Sequence, residues 1–186
     1  MTTEIEINAE PVEAPIVLNT TTEQLSDNWV MWFHRVDNDK WDLNSYTELC
    51  TVSDLEDFHG MFNTFFNIAN KMTANAGMFF FMREGIKPLW EDKRNKNGGM
   101  WSYKVPKKEG NILKSDVIWK HICAACVGMS LTKNPDDMKY INGISISPKL
   151  DNCIIKIWNN DATKNNINLI ADIDGIDNSK AIYKRN

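Results

Sequence analysis

The sequence lacks several features that would define common classes of protein. Its 186 residues contain no uninterrupted apolar run long enough to cross a membrane, which takes about 18 residues or more. The first residues carry Thr and Glu instead of a basic segment followed by an apolar one, so no secretory signal is expected. There are only four Cys, without the spacing of a disulfide framework, which favours a reducing compartment.

Catalytic and metal-binding motifs are also missing from the sequence. There is no Gly-rich phosphate loop, no H-E-x-x-H, and no nucleophile motif that includes any of the three His. Cys123 and Cys126 have the spacing of a redox or zinc pair, but they lie inside a predicted helix and no second pair exists. We therefore expect them to pack in the core, and we expect no enzyme, no metal and no cofactor.

Charge and aromatic content narrow the class further. The formal net charge of −4 argues against a protein that coats nucleic acid through bulk charge, although a small basic pocket remains possible. Tryptophan is unusually frequent, with seven in the chain. Core packing is the simpler interpretation for Trp residues that fall in predicted strands and helices. We expect it for four of them: Trp29, Trp32, Trp101 and Trp119.

The pattern along the chain predicts an arm followed by one domain. Residues 1–26 are acidic, contain Pro and clustered Thr, and show no periodicity, which predicts a flexible arm before a domain at 27–186. Ser53 and Glu56 fit a capping box at the start of an amphipathic helix. An antiparallel sheet with helices on one face is indicated. The predicted strands are 28–35, 77–82, 100–105, 141–146, 153–158 and 180–184, and the predicted helices are 53–69, one from 115 with Val117 in the core, and 161–172.

Two Trp and one Glu fall in polar segments and form the candidate site. Trp41 follows a turn at the end of the first strand, and Trp90 with Glu91 lies in a long polar connection. Two indoles on separate loops can close over a flat ring, and a cationic ring adds cation–π attraction of up to about 2 kcal/mol. A neighbouring carboxylate can accept two hydrogen bonds from a guanine edge. Lys149 and Lys156, which flank a predicted hairpin, could hold phosphates.

Residues 90–101 read W-E-D-K-R-N-K-N-G-G-M-W, and this segment resembles the eukaryotic translation initiation factor 4E family, whose pattern is W-E-D-x-x-N-x-x-G-G-x-W. Further matches run from Asn28 to the C-terminus. The resemblance implies a strongly curved antiparallel sheet with about three helices on its convex face, an α+β fold. It also implies that Trp41 and Trp90 sandwich the 7-methylguanine of an mRNA cap, that Glu91 pairs with its edge, and that Trp158 touches the methyl group.

The sequence departs from the family at the phosphate channel. A family Arg is matched by Lys149, another family Arg by Met100, and a family Lys by Ile154. Alternate residues of a strand share a face, so Lys156 is expected on the same side as Trp158. We expect Lys149 and Lys156, with Lys184 or Arg185, to hold the phosphates.

The sequence departs further on the helical face, where the resemblance implies docking of an amphipathic helix from the 4G scaffold or from inhibitory proteins. The family Trp is matched by His59, two Leu by Lys120 and Ala124, and a Glu by His121. These polar and small side chains cannot replace an indole anchor. Weak binding of the standard partner motif is expected, with a divergent 4G-like scaffold or none.

Two functions share this expected pocket. One is a cap-binding translation initiation factor, and the other is a competitor or repressor that binds the cap without recruiting the scaffold. A cap-directed enzyme and a general single-strand RNA module fit the residues less well. A cytoplasmic monomer that binds capped mRNA is expected, in the host cytoplasm if the Asn- and Lys-rich sequence is viral rather than from a divergent eukaryote.

Overall fold

Seven strands and two α-helices make up the described part of the chain. The computed structural model describes residues 23–65, 77–110 and 114–186. The elements are, in chain order, β1 (Gln24–Arg35), β2 (Tyr46–Asp54), α1 (Leu55–Phe65), β3 (Gly77–Arg83), β4 (Gly99–Pro106), α2 (Lys114–Val127), β5 (Ile141–Pro148), β6 (Asn152–Asn159) and β7 (Ile182–Arg185). Short 3-10 helices occupy Leu43–Ser45, Pro135–Tyr140, Ile167–Leu169 and Asn178–Lys180.

The strands form a single antiparallel sheet. Their order across the sheet is β2-β1-β3-β5-β6-β4-β7, and every neighbouring pair runs antiparallel. The sheet is curved and not closed. The predicted α+β class with a curved antiparallel sheet is therefore confirmed, and six of the seven strands agree with sequence predictions within a few residues.

The two faces of the sheet have different partners because alternate strand residues point to opposite sides. Trp29 and Met31 of β1 pack in the large cluster that includes the inner faces of α1, α2 and the 3-10 helix Pro135–Tyr140. Val30 and Trp32 point the other way into a smaller cluster with Tyr46, Phe80, Met82 and Trp158. The helices thus cover one face, and the opposite face is left for a ligand.

The strand β2 was not predicted from the sequence, and the start of α1 was predicted two residues early. The helix is capped by Asp54, whose Oδ1 accepts a hydrogen bond from the Asp57 amide at 2.8 Å, while Asp57 Oδ2 accepts one from the Ser53 amide at 3.0 Å. The pattern is similar to a capping box made by two Asp instead of Ser53 and Glu56, except that the second bond reaches the amide one residue before the cap. Leu55, the first residue of the helix, is 40% exposed. The predicted end at residue 69 lies outside the described residues.

The helix α2 confirms the core assignment of the Cys pair and corrects one position. Cys123 and Cys126 are fully buried, and burial raises the pKa of both thiols, so neither is a ready thiolate. Val117 was expected in the core, yet it is 41% exposed because the buried stripe passes through Ile118 and Ile122. The four Trp assigned to packing, Trp29, Trp32, Trp101 and Trp119, are all buried, as predicted.

The helix predicted at 161–172 is wrong. Only a single 3-10 turn, Ile167–Leu169, forms there. Asn166 and Asp161 accept hydrogen bonds from backbone amides two residues later, at 3.0 and 2.8 Å. Such local bonds compete with helix formation, which explains why an Asn-rich segment becomes a series of turns.

The boundary of the predicted arm also differs from the structure. β1 begins at Gln24, so its first three residues belong to the segment assigned to the arm. Apart from Glu23, the rest of that segment, residues 1–22, lies outside the described residues.

Candidate functional site

A cavity of about 460 Å³ lies on the sheet face opposite the helices. Its volume is in the range of small-molecule sites, about 300–1,000 Å³. Aromatic and apolar side chains form most of the wall, together with one carboxylate and several cationic groups. The lining residues used below are Trp41, Tyr46, Trp90, Glu91, Met100, Ser145, Lys156, Trp158, Lys184 and Arg185.

Trp41 enters the cavity from the connection between β1 and β2. Its side chain is 49% exposed, and one face of its indole stacks on the buried imidazole of His34, with ring centroids 4.4 Å apart and planes 4° from parallel. Asp42 then caps the 3-10 helix Leu43–Ser45 by accepting a hydrogen bond from the Asn44 amide at 2.9 Å. The second indole face is therefore the one available to a ligand.

Trp90 and Glu91 are carried by the connection between β3 and β4, which has an internal scaffold. Asn95 is fully buried, and its amide nitrogen donates to the carbonyl oxygens of Lys87 and Leu89 at 2.9 and 2.7 Å. Asp92 accepts a hydrogen bond from the Lys87 amide at 3.2 Å. These two side chains fold the segment into turns and leave Trp90 58% exposed.

Glu91 lines the same cavity as Tyr46. Burial, with a further contribution from the negative charge of Glu91, raises the pKa of Tyr46 to about 12, which indicates that the two side chains are close. Within the described residues, no group donates a hydrogen bond to the Glu91 side chain. Its two oxygens are therefore available to accept hydrogen bonds from a ligand edge.

Trp158 and Lys156 reach the cavity from β6, which confirms that they share a face of the strand. Trp158 is buried, with 6% of its side chain exposed, and its Nε1 donates to Ser145 Oγ at 3.0 Å. Lys156 lies farther along the same wall. Burial lowers its pKa, and the nearby Lys149 and Lys184 lower it further.

The other predicted cations are divided between the cavity and its surroundings. Lys149 is exposed beyond the end of β5 and does not line the cavity, although its charge acts on Lys156. Lys184 and Arg185, by contrast, line the cavity from β7. Lys184 is the register partner of Met100, the position where the family pattern has an Arg. A positive charge is thus present on the strand next to the one where it was missing.

Two residues that shape the cavity were not identified from the sequence, His34 and Tyr46. They are register partners on β1 and β2, and their rings meet edge to face at 4.7 Å. A signal for His34 was available, because it lies two residues after Trp32 and so on the same strand face. Tyr46 could not be found because β2 itself was not predicted.

The four residues predicted to alter the partner surface lie together on the helices. His59 of α1 and Lys120, His121 and Ala124 of α2 are all exposed. Lys120 Nζ lies 5.7 Å from the centroid of the Phe62 ring, so the lysine bridges the two helices. An exposed positive charge and two imidazoles therefore occupy this surface.

The residues that the structure describes contain neither a metal-binding cluster nor a membrane-spanning helix. No group of three or more His, Cys, Asp or Glu side chains there could hold a metal ion. In the same residues, no helix has the length and apolar character needed to span a membrane.

The fold and the cavity define an α+β protein with a ligand-sized pocket on the sheet face opposite its helices. Comparison with known families identifies it further. The model of the family "Eukaryotic initiation factor 4E" matches residues 24–176. The chain therefore belongs to the eukaryotic initiation factor 4E family, which is a family of translation initiation factors and not of enzymes.

Individual relatives agree with this assignment. The chain is 28% identical over 167 residues to eukaryotic translation initiation factor 4E-3 of Caenorhabditis elegans, covering 88% of this chain and 64% of the relative. It is 27% identical over 162 residues to a 4E homologue of Acanthamoeba polyphaga mimivirus, covering 78% of this chain and 57% of that one. The match therefore spans less than two thirds of each relative.

Solved structures share the fold. An Ascaris suum eIF4E-3 in complex with an m2,2,7G cap has a TM-score of 0.66 and 24% identity, covering 77% of this chain and 76% of that one. A Caenorhabditis elegans eIF4E-3 in complex with the 4E-binding protein Mextli has a TM-score of 0.65 and 25% identity, covering 77% and 79%.

Proposed function

We propose that this protein binds the 7-methylguanosine cap of mRNA by stacking the cationic base between Trp41 and Trp90. One observation carries the proposal: two half-exposed indoles from separate loops line the same cavity as the carboxylate of Glu91, to which no described group donates a hydrogen bond. Methylation at N7 gives the base a positive charge, which strengthens its attraction to the indole faces. Glu91 accepts hydrogen bonds from the guanine N1 and N2 edge, and Trp158 contacts the methyl group.

A titration of intrinsic Trp fluorescence with 7-methyl-GTP, with GTP as the control nucleotide, tests this proposal. We expect 7-methyl-GTP to bind at least tenfold more tightly, because a desolvated cation–π contact contributes about 2 kcal/mol. Calorimetry on Trp41→Ala and Glu91→Ala should show loss of most of that preference. Glu48→Ala, which removes an exposed carboxylate on the edge strand β2, is the matched control and should bind normally. Equal affinity of the unmodified protein for both nucleotides would contradict cap recognition.

We further propose that Lys156, Lys184 and Lys149 attract the phosphates of the cap. Lys156 and Lys184 line the cavity, and Lys149 is close enough to influence the charge of Lys156. Two lysines on the cavity wall and a third outside it concentrate positive charge in a protein whose net charge is −4. The bound triphosphate would relieve the repulsion between them.

We propose that the protein acts in translation initiation in the cytoplasm, or in the host cytoplasm if it is viral, as a monomer with a divergent 4G-like scaffold. Family membership supports the role in initiation. The exposed His59, Lys120 and His121 on the helices support a non-standard partner, because a charged and polar surface does not form the apolar groove that an amphipathic helix requires. The same feature supports the alternative role, a repressor that binds the cap and recruits no scaffold.

Binding of a consensus partner peptide, with Tyr, four variable residues, Leu and an apolar residue, tests the partner proposal. We expect weak binding to the unmodified protein. A variant that combines His59→Trp, Lys120→Leu, His121→Glu and Ala124→Leu should bind at least tenfold more tightly, since an indole anchor at a hot spot contributes 2 kcal/mol or more. Tight binding of the peptide to the unmodified protein would refute the proposal. Capture of a scaffold on the capped complex would separate initiation factor from repressor.

A further inference from the structure

His34 is the buried group on which Trp41 rests. Its imidazole has no exposed surface, and the parallel stack with Trp41 has a centroid distance of 4.4 Å. Trp41, in contrast, is 49% exposed. Tyr46 closes the side of the pair, at 4.7 Å from His34 and 6.4 Å from Trp41. One indole face is thus fixed from below, and the other is turned to the cavity.

The same imidazole also contacts the backbone of the loop that carries Trp41. Nε2 lies 2.8 Å from the carbonyl oxygen of Lys40, which belongs to the peptide bond that precedes Trp41. Nδ1 lies 2.8 Å from the carbonyl oxygen of Arg35, where the loop leaves β1. Carbonyl oxygens accept hydrogen bonds, so each ring nitrogen contributes only when it carries a proton. A neutral ring makes one of these bonds, and a protonated ring makes both.

We propose that His34 is a positioning residue for ligand binding: it hydrogen-bonds to the backbone of the loop that carries Trp41, and it holds the indole of Trp41 in the orientation that a ligand ring requires. This inference rests on the proposed function, because it assigns the cause of Trp41 geometry in the cap site. Ordering the loop before the ligand arrives removes an entropy cost that binding would otherwise carry. A Phe at this position would keep the stack but make neither backbone contact, whereas Ala would remove both.

The two variants His34→Phe and His34→Ala therefore separate stacking from loop attachment. We expect the affinity for 7-methyl-GTP to fall about threefold in His34→Phe and at least tenfold in His34→Ala, measured by calorimetry. Partial rescue by Phe would show that the ring under Trp41 contributes to affinity separately from the backbone hydrogen bonds. Ile144→Val is the matched control, since it removes one methyl group from the buried cluster under the helices and leaves the Trp41 loop intact. Its affinity should be unchanged.

A double-mutant cycle tests whether His34 acts through Trp41. In a Trp41→Ala background, His34→Ala should cause no further loss of affinity, whereas in a Trp90→Ala background it should still cause a severalfold loss, measured by NMR titration at millimolar ligand. An equal loss in both backgrounds would overturn the inference, as would unchanged affinity in His34→Ala with normal binding by the unmodified protein. Absence of cap binding by the unmodified protein would instead reject the proposed function.

Discussion

At Lys156, burial and two neighbouring positive charges both disfavour the charged form of the side chain. Burial lowers its pKa, and the neighbouring Lys149 and Lys184 lower it further, so this ammonium group loses its proton at a lower pH than an ordinary lysine does. A phosphate in the cavity would favour the protonated form. In the free protein the three lysines repel one another. A bound anionic ligand would be attracted to all three and would offset that repulsion.

Replacement of Lys156 by Met should therefore affect the triphosphate and not the base. We expect the affinity for 7-methyl-GTP to fall at least tenfold, because a hydrogen bond to a charged group contributes about 1.5–3 kcal/mol. Binding of 7-methylguanosine, which has no phosphates, should change little. For 7-methyl-GTP, the magnitude of the slope of log affinity against log salt concentration should decrease by about 1.

Lys133→Met, an exposed lysine beyond α2, is the control for general loss of positive charge. The same binding experiment can be repeated as a function of pH. The affinity of the unmodified protein for 7-methyl-GTP should decline on the alkaline side as Lys156 loses its proton, and the Lys156→Met variant should not show that part of the decline. An identical alkaline profile in both proteins would argue against phosphate contact by Lys156.

At the level of elements, the site depends on two loops that are fixed by different means. The β3–β4 connection is organised from within, because Asn95 and Asp92 bond to backbone groups of the same segment. The loop of Trp41 is instead held from outside by His34 of β1. The W-E-D-x-x-N segment was identified from the sequence as one unit, whereas His34 was missed although its position two residues after Trp32 places it on the same strand face.

The helix α1 offers a test of the structure that does not involve the ligand. Asp54→Ala removes the side chain that accepts the Asp57 amide at 2.8 Å, and loss of an N-cap costs about 1 kcal/mol. We expect the Tm to fall by about 2–4 °C. Asp54→Asn keeps an acceptor at the cap and should change the Tm little. If both variants melt alike, or if Ser53→Ala is the more destabilising, the assignment of the cap to Asp54 is wrong.

In the whole molecule, the main hydrophobic core and the cavity lie on opposite faces of one sheet. The large cluster between the sheet and the helices contains most of the buried apolar side chains, while the smaller cluster on the other face supports the cavity. Because a ligand there binds only the folded chain, binding and folding are thermodynamically linked.

Thermal melts with and without nucleotide measure that linkage. At a 7-methyl-GTP concentration a hundred times its Kd, the free energy of unfolding should rise by about 2.7 kcal/mol, which corresponds to a Tm increase of roughly 5–10 °C. GTP at the same concentration should shift the Tm much less. Equal shifts by the two nucleotides would mean that the stabilisation comes from the triphosphate and not from the methylated base.

Local patterns in the sequence determined most of the sheet and the membership of the site. Alternation and aromatic content identified β1, β3, β4 and the hairpin of β5 and β6, because a buried strand face requires apolar side chains every second residue. Polar surroundings identified Trp41 and Trp90 as exposed, since an indole in a loop has no core to enter. The role of each of these residues toward a ligand stays a prediction.

Tertiary structure alone decided the features that depend on contacts between distant residues. The strand β2 has a polar, partly exposed sequence and exists because it pairs with β1, which brings Tyr46 beside His34. The charge of Lys184 reaches the cavity only because β7 pairs with β4 opposite Met100. Neither pairing produces a local periodicity in the sequence. Strands and exposed rings could therefore be predicted from the sequence, whereas the side chains that support those rings became known only from the assembled sheet.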